Sequence, residues 1–288
     1  MNTATNHTIT LVISCPDTTG IVAAVASYIA KHGGSLQESN HHTDVSEDWF
    51  FMRNVIETRD MNIGVEEFRT GFEPIAEKFK MEWYMRDSQE RQKVVIMASK
   101  SSHCLNDLLH RWKVNELNCD IQCVISNHEK LRSMVEWHGI PFHHVPVPKE
   151  DKAEAFAKTA EIIDRHNADC IVLARYMQIL PPNLCTQYQG KVINIHHSFL
   201  PSFIGADPYQ KAYDRGVKLI GATSHYVTED LDEGPIIEQD VIRVSHSCDK
   251  QEMVRLGRDV ERSVLSRGLM YHLQDRVIIH SNKTVVFI

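Results

Sequence analysis

Asn194, His196 and Asp232 are the residues whose types and spacing point to chemistry. Asn194 and His196 lie two positions apart in the apolar run Val192-Ile193-Asn194-Ile195-His196. Side chains alternate along a strand, so both project from one face. A strand that only fills a parallel sheet is normally rich in Val, Ile and Leu, so two polar groups on one face need a reason. Asp232 belongs to Leu231-Asp232-Glu233-Gly234-Pro235, a Gly/Pro turn of the kind that presents a loop carboxylate. An amide, an imidazole and a carboxylate suffice to polarise a carbonyl and move protons. A tetrahedral intermediate gathers charge on one oxygen, and losing one well-placed donor costs ~10²–10³ in rate. A free imidazole titrates near ~6.5 and can act as acid or base near neutrality. Singly, each residue has a plainer reading: strand-end groups satisfied by backbone, and an aspartate that forms a turn. As a set, with the abrupt strand exit at Ser198-Phe199-Leu200-Pro201, they favour a site.

The elements that must carry these groups follow from the pattern around them. From Lys93 onward the chain alternates strand and helix. Residues 94–97 and 170–174 are continuous apolar runs, as in strands buried on both faces. Further strands are expected at 120–126, 142–145 and 236–244, and helices from about Leu105, at 129–138, 152–167, within 182–188, and at 250–274. Residues 276–280 and 284–288 are expected to form a terminal hairpin around Asn282. Such alternation implies a Rossmann-like, mostly parallel sheet, which binds ligands beyond the carboxyl ends of its strands. Asn194 and His196 lie at such an end.

The first part of the chain reads differently. Residues 8–13 alternate as a strand, and the turn at 15–20 leads into a helix at 21–32 that Gly33-Gly34 ends. Strands follow at 35–40 and 49–56 across a polar turn at 41–48, then a helix at 65–79 and a strand at 81–85. The order βαββαβ is ferredoxin-like. The polar run at 86–92 marks the boundary, which divides the chain into 7–85, a join at 86–92, and 93–288.

The motif residues also carry a resemblance. Asn194-Ile195-His196, continued by His197-Ser198-Phe199-Leu200-Pro201 and later by Leu231-Asp232-Glu233-Gly234-Pro235, is similar to the folate-dependent formyltransferase family. The longer run HHSFLPSFIGADPYQKAYDRGVKLIGATSHYV looks like the deformylase branch of that family. The resemblance implies hydrolysis of 10-formyltetrahydrofolate to formate, for one-carbon and purine metabolism, with no permanently bound cofactor. It assigns Asn194 to the formyl oxygen, His196 to the developing oxyanion and proton transfer, and Asp232 to the essential carboxylate. Arg175, Tyr176, Met177, Gln178, Ile179 and Leu180 resemble the folate-binding loop, and Thr228, Glu229 and Asp230 the second loop closing the pterin pocket. Without the resemblance, 175–180 is a packed strand-to-helix connection. The first domain resembles an ACT domain, implying homo-oligomerisation or a small amino-acid effector near Asp17, Gly20 and Asn40.

Phosphoribosylglycinamide formyltransferases of the family carry a Gly-rich turn that cradles the substrate phosphate. Here that turn is Ser99-Lys100-Ser101-Ser102-His103-Cys104, without glycine, which favours water as acceptor. Transfer to an amine acceptor stays open, as does a folate- or amino-acid-binding regulator without activity. Cys104 has no base partner identifiable in the sequence, and Ser198 lies in no G-x-S-x-G elbow. With 288 residues, 42% hydrophobic and 24% charged, the composition is that of a two-domain globular protein. A net charge of -7 argues against general attraction to nucleic acid or anionic membrane. No basic-then-apolar leader opens the chain, no apolar run approaches the ~20 residues of a membrane span, and the scattered cysteines fit reduced thiols. A cytoplasmic protein is expected. Cys119 and Cys123 lack a second pair at zinc spacing, and adjacent histidines on strands point to opposite faces, so no metal is expected.

Overall fold

The structure is a computed structural model and describes residues 7–201 and 208–288. Residues 202–207 of the long motif run lie outside the described residues. The chain forms two compact units, Met1–Arg91 with Asp275–Ile278 and Val285–Ile288, and Gln92–Gln274 with Ile279–Thr284.

The first unit contains β1 (Thr8–Pro16), α1 (Ile21–Lys31), β2 (Ser35–Asp44), β3 (Trp49–Glu57), α2 (Val65–Phe79) and β4 (Glu82–Asp87). The strands form an antiparallel sheet in the order β2-β3-β1-β4, the ferredoxin-like arrangement. Ile21, Val25, Tyr28 and Ile29 of α1 pack with Phe68 and Phe72 of α2 against Ile9, Leu11 and Ile13. Gly33 ends α1 at a φ of 76°, and a Cβ there would lie 2.3 Å from the Asp60 carbonyl oxygen, so the turn needs glycine. The turn expected at 41–48 is shorter. His41, His42 and Thr43 pair with Met52, Phe51 and Phe50, extending β2 to Asp44. β2 is an edge strand and tolerates polar residues, which made this stretch read as loop.

Residues 275–278 and 285–288 were expected with 93–288 but pack into the first unit. Ile278 and Phe287 cover Val12 and Phe51. Arg86 Nε donates to both carboxylate oxygens of Asp275 at 2.9 Å. Pairing over so great a sequence separation leaves no local pattern.

The second unit runs β5 (Gln92–Ala98), α3 (His103–Lys113), β6 (Cys119–Ser126), a 3₁₀ turn (Glu129–Leu131), α4 (Arg132–Trp137), β7 (Phe142–His144), α5 (Lys152–Arg165), β8 (Cys170–Ala174) and α6 (Pro182–Gln187). It continues with β9 (Val192–His196), α7 (Pro208–Arg215), β10 (Leu219–Tyr226), β11 (Ile236–Arg243) and α8 (Lys250–Leu273). A hairpin of β12 (Val277–His280) and β13 (Lys283–Val286) closes the chain. The seven-stranded sheet has the order β11-β10-β9-β8-β5-β6-β7. Neighbours from β9 to β7 are parallel; β10 and β11 add antiparallel. From β5 the chain proceeds to β6 and β7 on one side, then to β8 and β9 on the other. The carboxyl ends of β5 and β8 therefore flank a topological switch point, and β9 lies next to β8.

Residues 208–226, which the alternation leaves unassigned, form α7 and β10. Gly221, Ala222, Thr223 and Ser224 are too small and polar to signal a strand, yet β10 is buried from Ile220 to Tyr226.

Candidate active site

β9 and β10 pair with Asn194 opposite His225 and His196 opposite Thr223, so all four side chains share one face. A bulge between Ser224 and His225 in the pairing with β11 gives β10 an irregular bend beside His225. Thr223 is 0% exposed and fixes the strand exit: its Oγ1 donates to the Ser198 carbonyl at 3.0 Å and accepts from Leu200 N at 3.1 Å.

Asp232 reaches this face from the turn after β10. Its φ of 58° is left-handed, a conformation that Asp and Asn tolerate better than most residues. Gly234 lets the turn close, because a Cβ there would lie 1.9 Å from the Tyr226 carbonyl oxygen. Asp232 Oδ2 is 3.1 Å from His196 Nδ1, and Oδ1 is 3.7 Å from His225 Nε2. Burial opposes ionisation of Asp232, but its contacts with His196 and His225, the His196 hydrogen bond first, outweigh it and hold the carboxyl well below the usual range.

The ring hydrogens follow from these partners. His196 Nδ1–H donates to Asp232, which leaves Nε2 buried without a hydrogen-bond partner among the described residues. His225 Nδ1 lies 2.9 Å from the Tyr226 carbonyl, which can only accept. In the neutral ring His225 Nε2 then accepts from Asn194 Nδ2 at 3.1 Å, orienting the amide and leaving its second N–H available.

These groups line a cleft of ≈ 390 Å³, with residues 175–180 on one side and 227–232 on another. The cleft thus gathers the three expected catalytic residues and both expected folate-binding segments. Arg175 opens the first segment at a φ of 61°. Met177 N donates to Ser99 Oγ at 2.9 Å, and Ser99 Oγ donates to Asn127 at 2.7 Å, tethering the segment. Tyr176 OH is buried without a partner among the described residues, while Met177 and Ile179 are exposed. Thr228 Oγ1 donates to the Asp230 carbonyl at 3.1 Å, and Glu229 accepts from Thr186 at 2.6 Å.

Beside the cleft lies a second cavity of ≈ 280 Å³ that shares Arg175 and His197 with it. Its wall includes Glu261, buried in the middle of α8. Glu261 meets His103 Nε2 and Tyr209 OH, each at 2.7 Å, and lies 3.4 Å from Arg175 Nε, an ion-pair contact. Burial resists its ionisation, but His103 and Arg175 more than offset this and keep the carboxyl below its ordinary value. Burial, and next the Arg175 charge, push His197 down to about 4.

Two contributors escaped sequence reasoning. His225 sits in the unassigned strand; the only signal was a histidine near the end of a short apolar segment. Glu261 looks like a surface residue in an amphipathic helix, because its partners lie far away in sequence. The expected regulatory residues are not gathered. Asp17 and Gly20 occupy the β1–α1 turn, whereas Asn40 on edge strand β2 pairs with Arg53, in a row that continues to Val12.

Residues 92–269 match the formyl transferase family. A formyltetrahydrofolate deformylase of Bacillus subtilis is 48% identical over 278 residues, covering 96% of this chain and 93% of that protein. The crystal structure of a formyltetrahydrofolate deformylase from Pseudomonas syringae superposes with a TM-score of 0.97 at 59% identity, covering 99% of this chain and 96% of that one. The phosphoribosylglycinamide formyltransferase of Anaplasma phagocytophilum has a TM-score of 0.63 at 28% identity, covering 68% of this chain and 95% of that one.

Proposed function

This chain belongs to the formyl transferase family, and from that premise we propose that it is an enzyme hydrolysing 10-formyltetrahydrofolate to formate and tetrahydrofolate. The observation that carries the reading is the convergence of Asn194, His196 and Asp232 on one cleft, with His196 Nε2 unpartnered among the described residues. The pterin lies between residues 175–180 and 228–230, with the formyl group at the Asn194–His196 end. Asn194 donates its second amide hydrogen to the formyl oxygen, where charge develops. Water adds to the formyl carbon as His196 Nε2 takes its proton. The imidazolium so formed is stabilised by Asp232 through Nδ1–H. The imidazolium then returns the proton to N10 as the C–N bond breaks, and the formic acid released gives up its hydroxyl proton to solvent as formate.

Transfer to glycinamide ribonucleotide is the competing reading, favoured by the likeness to the smaller formyltransferase. Two observations weigh against it. That likeness stops at 68% of this chain, and Ser99, in the turn that would cradle a phosphate, is engaged with Met177 and Asn127. The decisive assay offers 10-formyltetrahydrofolate with and without glycinamide ribonucleotide. Equal formate release in both supports hydrolysis; turnover only with the ribonucleotide overturns it. We read the βαββαβ first unit as an ACT-like module through which copies of a cytoplasmic enzyme associate, its formate serving one-carbon and purine metabolism.

A further inference from the structure

Away from the cleft, Cys123, His143 and His166 bring their Sγ and ring nitrogens within 4.8 Å of one another. They come from three elements: Cys123 from β6, His143 from the neighbouring strand β7, and His166 from the residue capping the carboxyl end of α5. β6 and β7 pair Ile125 with His143, so Cys123, two residues earlier, shares the face of His143. That face packs on Phe156, Ile162 and Ile163 of α5, which leads directly to His166. Adjacent histidines and cysteine spacing gave no sign of such a group, because its members are 20 or more positions apart.

The geometry points to a three-ligand site for a zinc-class divalent cation, built from Cys123, His143 and His166. His143 Nε2 is buried without a hydrogen-bond partner among the described residues, an uncommon state for a ring nitrogen unless something is meant to occupy it. One thiolate and two imidazoles suit zinc, cobalt or copper; magnesium and calcium want oxygen. Tetrahedral zinc holds one sulfur and two nitrogens roughly 3.3–3.6 Å apart, so closing the group needs shifts of about 1 Å. The carboxyl end of α5 presents a partial negative charge that favours a cation. Arg132 and Arg165 lie close enough to His143 to oppose one, but Arg132 is paired with Glu129 at 2.6 Å and Glu136 at 3.1 Å. With both imidazoles only half-buried, water completes the fourth position, and the ion ties edge strand β7 to α5. Among the described residues a second close group, His103, Cys104 and Glu261, is a poorer candidate, since its carboxylate already serves Tyr209 and Arg175.

The test titrates metal-free, full-length protein with cobalt(II) and then displaces it with zinc(II). One equivalent of cobalt should produce a thiolate-to-metal absorption band that zinc abolishes. Zinc at a hundredfold excess over its Kd should raise the thermal midpoint by roughly 5 °C or more. Cys123→Ser should lose the band and Cys104→Ser keep it. Should Cys123→Ser not fold, His166→Gln, at a half-buried position, should weaken affinity by more than about tenfold. Absence of a band in the wild type, its survival in Cys123→Ser, or unchanged affinity in His166→Gln would overturn the site.

Discussion

Asp232 occupies a left-handed backbone position and accepts from His196 Nδ1–H, so its side chain and its conformation are separate requirements. Asparagine tolerates that conformation and matches the shape. Asp232→Asn should therefore fold normally by circular dichroism while formate release falls roughly 10³–10⁴-fold, because His196 loses the acceptor-only anion that fixes its tautomer and stabilises its imidazolium. Residual activity within tenfold of wild type would remove Asp232 from this role. His225 acts through Asn194, whose amide it orients at 3.1 Å. His225→Gln should lower kcat by ~10–100-fold with little change in KM, as expected when a reacting group is misplaced rather than a binding surface lost. A rise in KM alone would contradict this. His197 supplies the pH signature. An unfolded histidine titrates near ~6.5, while burial holds this one at about 4 in the folded chain. Between those values the unfolded chain binds the extra proton, so stability rises with pH across the window and is complete above it. His197→Gln should flatten the urea midpoint against pH from 4 to 6.5; an unchanged slope would contradict the assignment.

At the scale of elements, β9 was legible because Asn-Ile-His interrupts an apolar strand with polar groups of one parity. β5 and β8 were legible as unbroken apolar runs. β10 was not, since small residues carry little periodic signal, and the register that places His225 opposite Asn194 is a property of pairing rather than of either strand. α8 shows the same limit. Its spacing reads as amphipathic, but the partners of Glu261 come from α3, α7 and the segment after β8. Glu261→Gln leaves the Arg175 guanidinium without its counter-charge and should destabilise the fold by roughly 3 kcal/mol. Arg175 starts the segment lining the cleft, so KM for 10-formyltetrahydrofolate should rise more than kcat falls. Urea unfolding and steady-state kinetics read both, and a variant as stable as wild type with unaltered KM would refute the linkage.

At the scale of the whole molecule, composition put the join at 86–92, of which Arg86 and Asp87 lie in β4 and Gln92 in β5, and nothing in the sequence marked the return of the carboxyl-terminal segments to the first unit. Among the described residues no helix is long and apolar enough to cross a membrane. The likeness to the deformylases spans both units, whereas that to the formyltransferase covers 68% of the chain. Hydrolysis and transfer therefore differ in which nucleophile meets the formyl carbon between Asn194 and His196. Turnover of 10-formyltetrahydrofolate in water enriched in oxygen-18, with no amine acceptor present, answers this directly. Attack by solvent predicts formate with one of its two oxygens from the labelled water, formed at the same rate as tetrahydrofolate. Unlabelled formate, or no formate until an amine is added, would contradict it.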